Sequence, residues 1–219
     1  MEPIDLKKYK AFLFDLNGTM IHDMPYHVNA WHKVVQSLGS NMSIDAMKQE
    51  CYGKGEEMLE RIFPGKYTLV ERISISEVKE ANYRKDFLAD LKLIEGLDVL
   101  LENASTLNIK MGIGSAANNL NIDFVLDNLH IRHYMQTIIS GEMVTKSKPH
   151  PETFLRCADL LKIPAEDCLV FEDTPKGVHC AANAGMTVIV LTTTHPVSDF
   201  KAFSNIIQFV DDYTELSLY

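Results

Sequence analysis

The sequence predicts an α/β fold: a parallel sheet with helices on both faces, interrupted by an all-α insertion. Three observations carry this reading. Beyond about residue 95, short apolar runs alternate with amphipathic stretches, the pattern of a parallel sheet covered by helices. Between residues 24 and 94 only helical spacing recurs, with no strand pattern. A single apolar run precedes that stretch, so the core is discontinuous: 1–23 with 95–219, the insertion being 24–94. At 219 residues and 46% hydrophobic, the chain can bury one sizeable core with a smaller lobe, and is short for two full-sized independent domains.

Taken in order, residues 10–16 (K-A-F-L-F-D-L) read as a buried strand that delivers Asp15 to its carboxyl end and runs into the loop Asn17-Gly18-Thr19. Val28, Ala30, Trp31, Val34, Val35 and Leu38 then recur at helical spacing, and further helices follow at about 44–51 and 56–63. Ser74-Ile75-Ser76-Glu77 has the form of a capping box and predicts a helix start there, the helix reaching Leu91. Strands are predicted at 109–115, 137–140, 169–172 and 187–191, and helices at 119–129, 151–161 and 177–184, the last closed by Gly185. The architecture is therefore Rossmann-like. No repeat and no low-complexity segment is present, which excludes solenoids and disordered tails.

Composition narrows the partners. With 21 basic and 30 acidic residues the formal charge is -9, which repels nucleic acid and anionic membranes, although a local cationic pocket still binds phosphate. No segment has the apolar length of a signal peptide or membrane span, so a cytoplasmic protein is expected, as a monomer or weak homodimer. Cys51, Cys157, Cys168 and Cys180 form no C-x-x-C pair and are expected as reduced, mostly buried thiols.

In parallel sheets ligands bind outside the carboxyl ends of the strands. Asp15 follows the first predicted strand, Ser115 the second, Lys148 the loop after the third, and Glu172-Asp173 the fourth. The topology thus brings a carboxylate nucleophile, a hydroxyl, a fixed cation and an acidic pair to one sheet edge. Crowded carboxylates repel unless a cation sits among them. A hard, oxygen-ligated ion such as Mg²⁺ meets that need and bridges to substrate phosphate. Ser115 and Lys148 then hold phosphoryl oxygens while Asp15 attacks. Taken singly, each residue has a plainer role: Ser115 as a helix cap, Lys148 as a solvated loop lysine, Lys79 as a solvated lysine on an amphipathic helix. His22, His27 and His32 are five apart and share no helix face, which excludes a metal trio.

Asp15-Leu16-Asn17-Gly18-Thr19, Ser115, Lys148-Pro149 and Val170-Phe171-Glu172-Asp173, with Gly177 and Ala184-Gly185-Met186, together resemble the four ordered motifs of the haloacid dehalogenase-like superfamily. The resemblance spans essentially the whole chain, and the insertion resembles the helical cap of the β-phosphoglucomutase and phosphoglycolate-phosphatase branch. It implies that Asp15 and Asp173 bind Mg²⁺ by carboxylate and Asn17 by its backbone carbonyl, with Glu172 beside the ion. It also implies that Gly18, Thr19 and Ala116 lie along the substrate, a small phosphorylated metabolite of sugar-phosphate type. Tyr26-His27 resembles the start of the mutase cap and Lys79 its substrate-facing lysine. The mutase's arginine for a distal phosphate is not found after Cys51-Tyr52-Gly53, where Lys54-Gly55-Glu56 stands; Lys54 offers a point charge without the guanidinium fork.

A second departure is Asn17. The family's second aspartate, at this position, protonates the leaving group and activates the acceptor, and an amide does neither; loss of such help costs about 10²–10⁴ in rate. The asparagine is native to a slow or specialised enzyme, or a substitution made to trap substrate, or, as Asn17-Gly18, a site of partial deamidation. The expectation is a phosphatase or phosphoglucomutase-like phosphotransferase with turnover weakened by Asn17. The rival readings are an impaired phosphate- and Mg²⁺-binding protein and a metal-independent dehalogenase.

Overall fold

The computed structural model describes residues 5–51 and 54–218. The first strand, β1 (Ala11–Phe14), is buried at every position. It is followed by four helices, α1 (Met24–Ser37), α2 (Ile44–Glu50), α3 (Gly55–Ile62) and α4 (Leu69–Phe87). Strand and helix then alternate: α5 (Leu97–Thr106), β2 (Lys110–Gly114), α6 (Asn119–Asn128), β3 (Thr137–Ile139), α7 (Glu152–Leu161), β4 (Cys168–Glu172), α8 (Pro175–Asn183), β5 (Thr187–Leu191) and β6 (Ile206–Val210). The six strands form one parallel sheet in the order β3-β2-β1-β4-β5-β6. The chain divides into two compact units, Met1–His22 with Lys92–Tyr219, and Asp23–Leu91. Leu93 and Ile94 belong to the sheet-bearing unit, where they bond to Ile21 and Met20.

The parallel α/β class expected from the alternation is the one observed. Its strands read as continuous apolar runs because they are covered by helices: α7 packs against β1, β2 and β3 and α8 against β4 and β5, the two sharing one apolar cluster on one face, and α5 packs against β2. The core includes Leu13, Phe154, Val170, Val178 and Val188, all fully buried. At the centre of the sheet Phe14 and Phe171 pair in register and stack with ring centroids 4.7 Å apart. The other unit has its own core of Trp31, Val35, Met47, Met58 and Leu59.

Four details differ from the sequence expectations. Helix α4 starts at Leu69 instead of Ser74, because Thr68 caps it: its side chain accepts from the Glu71 N–H while Glu71 reaches back to the Thr68 N–H. It ends at Phe87, where a 3-10 turn, Leu88–Asp90, takes over. Helix α5 and strand β6 were not anticipated. In α5 the signal was present, Leu97, Leu100, Leu101 and Ala104 lining its buried face, but Gly96 in a left-handed conformation stands where a capping serine or aspartate would have marked the start. Strand β6 is only half-buried along most of its length, so no continuous apolar run announces it.

Replacing Phe171 by alanine is expected to cost about 3–5 kcal/mol of stability, since a fully buried ring stacked on Phe14 is lost from the sheet centre. Urea denaturation of the variant checks this.

Candidate active site

The β1 ladder continues one residue past the strand, Asp15 N–H donating to the Phe171 carbonyl at 3.0 Å. That bond sets the Asp15 carboxylate beside the end of β4, where Glu172 and Asp173 emerge. The three carboxylates lie together, with one oxygen from each within 4.8 Å of the others, and all three residues are buried. Among the described residues no other trio of histidine, cysteine, aspartate and glutamate converges in this way.

Lys148 is the cation of this cluster. Its Nζ donates to Asp15 Oδ1 at 2.6 Å and to Glu172 Oε1 at 2.8 Å, and its side chain is 8% exposed. Burial works against its charge, but Asp15 and Glu172 outweigh burial and hold the ammonium protonated well above the ordinary lysine range. The solvated-lysine role is thereby excluded. Asp173 is the counterexample: burial, then repulsion from Glu172 and Asp15, raises its carboxyl well above the ordinary value. One ammonium among three buried carboxylates leaves negative charge uncompensated.

Each carboxylate is oriented by a different set of donors. Glu172 Oε2 accepts from the N–H groups of Asp173 and Thr174, both at 2.8 Å, and from the Thr174 hydroxyl at 3.0 Å. Asp173 accepts from Thr19 Oγ1 at 3.0 Å and from the Thr194 hydroxyl. Two glycines make this packing possible. Gly18 has φ +76°, and a Cβ there would lie 2.2 Å from Asp173 Oδ2. A Cβ on Gly177 would lie 1.6 Å from Glu172 Oε1. The first turn of α8 therefore leaves its side-chain space to the glutamate.

Ser115 sits at the end of β2, its N–H donating to the Ile139 carbonyl at 2.9 Å, and is buried. Its hydroxyl accepts from the Ala117 N–H at 3.1 Å. It does not cap the following helix: Asn118 does, accepting from the Asn121 N–H at 2.9 Å. Ala116 is exposed next to Ser115. Asn17 is the one residue from Ala11 to Ile21 that is not buried. Thr19, expected along the substrate, is instead fully buried against Asp173.

The helical unit holds the remaining candidates. Lys79 is fully buried, not solvated. Its ammonium lies 2.5 Å from His27 Nδ1 and 2.9 Å from Glu80 Oε1, with the Trp31 and Tyr83 rings at 5.2 and 5.3 Å. Burial lowers its pKa, against the pull of Glu80. His27 stacks on Tyr83 and approaches Asp23 Oδ2 at 3.3 Å, and Tyr83 donates to the same oxygen. Lys54 is exposed at the start of α3, its N–H donating to Glu57 Oε2 at 3.3 Å; Tyr52 and Gly53, which frame it in the sequence, lie outside the described residues. The cysteine thiols are poor nucleophiles, burial pushing Cys157 and Cys168 up to about 12 and Cys51 and Cys180 to about 11.

Sequence reasoning missed Thr194. It follows β5, and its hydroxyl contacts both the Asp173 carbonyl and carboxylate and lies 3.0 Å from His195 Nδ1. Its neighbour Thr193 donates to the Gly18 carbonyl. Three threonines directly after an apolar strand were a usable signal, because that strand ends at the same sheet edge.

Residues 12–191 match the sequence model of the haloacid dehalogenase-like hydrolases. The chain belongs to that family. A β-phosphoglucomutase of Bacillus subtilis is 30% identical to this hydrolase over 188 residues, covering 82% of each chain. A fructose-1-phosphate phosphatase of Escherichia coli is 26% identical over 194 residues, covering 84% of this chain and 96% of its own. Among solved structures, a haloacid dehalogenase hydrolase of family IA, variant 3, from Entamoeba histolytica superposes with a TM-score of 0.88 at 27% identity, covering 95% of this chain and 96% of the other. No helix among the described residues is long and apolar enough to cross a membrane.

Two outcomes follow from these contacts. Because burial lowers the folded pKa of Lys79 below its ordinary 10.5, the unfolded chain binds more protons in the interval between the two values, so stability rises with pH there. Denaturation curves taken across that interval are expected to show this rise in the parent and its loss in Lys79→Met; parallel pH profiles for the two proteins would contradict it. Thr194→Val removes a donor from Asp173 and, should the carboxylate cluster take a divalent ion, is expected to weaken that binding about 10–100-fold, measured as the Mg²⁺ concentration that gives half-maximal thermal stabilisation.

Proposed function

We propose that this hydrolase catalyses Mg²⁺-dependent phosphoryl transfer through an aspartyl-phosphate on Asp15, acting on a small phosphorylated metabolite of sugar-phosphate class. The observation that carries the reading is the buried cluster of Asp15, Glu172 and Asp173 with Lys148 bonded to the first two. A divalent cation fits it on the chemistry of the donors: all are hard oxygens, and the cluster's negative charge exceeds its one ammonium. Asp15, Asp173 and the Asn17 carbonyl would hold the ion, with Glu172, whose oxygens are occupied by Lys148 and by backbone N–H groups, beside them. Bound there, Mg²⁺ supplies positive charge to the phosphoryl oxygens.

The chain's own groups do the rest. Asp15 attacks phosphorus with the carboxylate oxygen not bonded to Lys148, and the Lys148 ammonium offsets charge on the transferring oxygens. Ser115 offers a hydroxyl to a further oxygen. Asn17, an amide, neither gives nor takes a proton, so it assists neither leaving-group departure nor phosphoenzyme hydrolysis. In this reading residues Asp23–Leu91 serve as a cap. The sugar-phosphate class is supported by relatives named for fructose 1-phosphate and β-phosphoglucose chemistry. Hydrolysis is favoured over isomerisation, because Lys54 stands where a mutase would place a guanidinium.

The test is phosphate release from a panel of sugar phosphates by the parent chain and Asn17→Asp, with Mg²⁺ and with EDTA. Both proteins are expected to lose activity in EDTA, and Asn17→Asp to turn over about 10²–10⁴ times faster than the parent. Activity indifferent to EDTA would favour dehalogenase-type chemistry instead. Activity confined to Asn17→Asp would make the parent a phosphate- and Mg²⁺-binding protein.

A further inference from the structure

The groups gathered at the end of β1 and β4 are suited to making a bond to phosphorus, and their polar atoms are engaged with one another. Lys148 directs its ammonium at Asp15 and Glu172. Glu172 Oε2 is occupied by two N–H groups and a hydroxyl, and Asp173 by Thr19 and Thr194. The nearby imidazole of His195 is linked through Thr194 to Asp173. Asn17, two residues from Asp15 in the chain and the least buried residue of the 11–21 segment, carries an amide that does not titrate, so it is not a proton carrier.

From this we infer that the favoured donors are activated phosphates, acyl phosphates above all, and that Asp15 retains the phosphoryl group as a long-lived phosphoenzyme. The inference rests on the phosphoryl-transfer reading above, keeps sugar phosphates as slow donors, and ranks activated phosphates ahead of them at the same site. In the first step a carboxylate oxygen of Asp15 forms a bond to phosphorus while the bond from phosphorus to the acyl oxygen breaks. The electron pair leaves with the donor's carboxylate, a stable anion, and no proton changes hands. With an alkyl phosphate the same bond cleavage expels an alkoxide, which needs a proton as it leaves, and Asn17 supplies none. In the second step water must add to phosphorus and give up a proton to yield free Asp15 and inorganic phosphate. Asn17 does not take that proton, so the aspartyl-phosphate persists. A sugar phosphate would then be a slow substrate, and the phosphorylated form would be the resting state wherever activated donors abound.

The experiment incubates the parent chain with Mg²⁺ and either acetyl phosphate or glycerol 3-phosphate, quenches in acid, and reads intact mass. Asn17→Asp and Asp15→Asn are run alongside. The parent is expected to gain one HPO₃ unit from acetyl phosphate, about 10²–10⁴ times faster than from glycerol 3-phosphate. The adduct should be released by hydroxylamine, as an acyl phosphate is, and be absent from Asp15→Asn. In Asn17→Asp it should decay faster by a similar factor, with continuous phosphate release. Hydroxylamine lability reports the bond type even if Asp15→Asn does not fold. Equal rates from the two donors, or no adduct on a parent whose Asn17→Asp variant turns acetyl phosphate over, would overturn this inference and leave the phosphoryl-transfer reading standing. Failure of both parent and Asn17→Asp to accept phosphate from either donor would overturn both.

Discussion

Three buried carboxylates facing one ammonium are the constraint around which the sheet-bearing unit is organised. Like charges in a space closed to water are costly unless compensated, and the fold meets the cost partly with Lys148 and partly with oriented hydroxyls and N–H groups. The strand order places β1 and β4 side by side, which is why Asp15 and the Glu172-Asp173 pair meet at all. The glycines at 18 and 177 then give the carboxylates room. What remains uncompensated is negative charge, which on the function proposed above a divalent cation would offset.

The two buried lysines show how completely surroundings decide chemistry. Lys148 touches two carboxylates and is held protonated far above its usual range. Lys79 is as deeply enclosed, but its neighbours are a histidine, one glutamate and two aromatic faces, and its pKa falls. Aromatic faces attract a cation less strongly than a carboxylate does, so in the second case the loss of water dominates.

Much of this arrangement was legible in the sequence. Asp15, Ser115, Glu172 and Asp173 each end an apolar run, and in a parallel sheet such ends share one edge, so the meeting of the three carboxylates followed from strand periodicity. Lys148 needed more, since it lies in a loop and only the ordered motifs single it out. The burial of Lys79 was not legible, because α4 is mostly polar and its spacing does not reveal which polar residue faces Trp31 and His27. Thr194 is harder to single out because it lies three residues past the end of β5, in a run of three threonines that the sequence alone does not tell apart. Helix α5 and strand β6 escaped for want of punctuation: one opens on a left-handed glycine instead of a capping side chain, and the other lies half-buried at the sheet margin.

The bonds that assemble the site join distant parts of the chain: Lys148 to Asp15 across 133 residues, Thr19 to Asp173 across 154, and Thr193 to Gly18 across 175. Closing such loops costs chain entropy that is recovered only when the sheet is nearly complete. No early, locally ordered fragment can hold Asp15 beside Lys148. During synthesis the amino-terminal strand must wait, unpaired with β4, until most of the polypeptide has emerged. The phosphoryl transfer proposed at Asp15 would consequently report finished folding, and a nascent or truncated chain lacking β4 would be chemically silent at that aspartate.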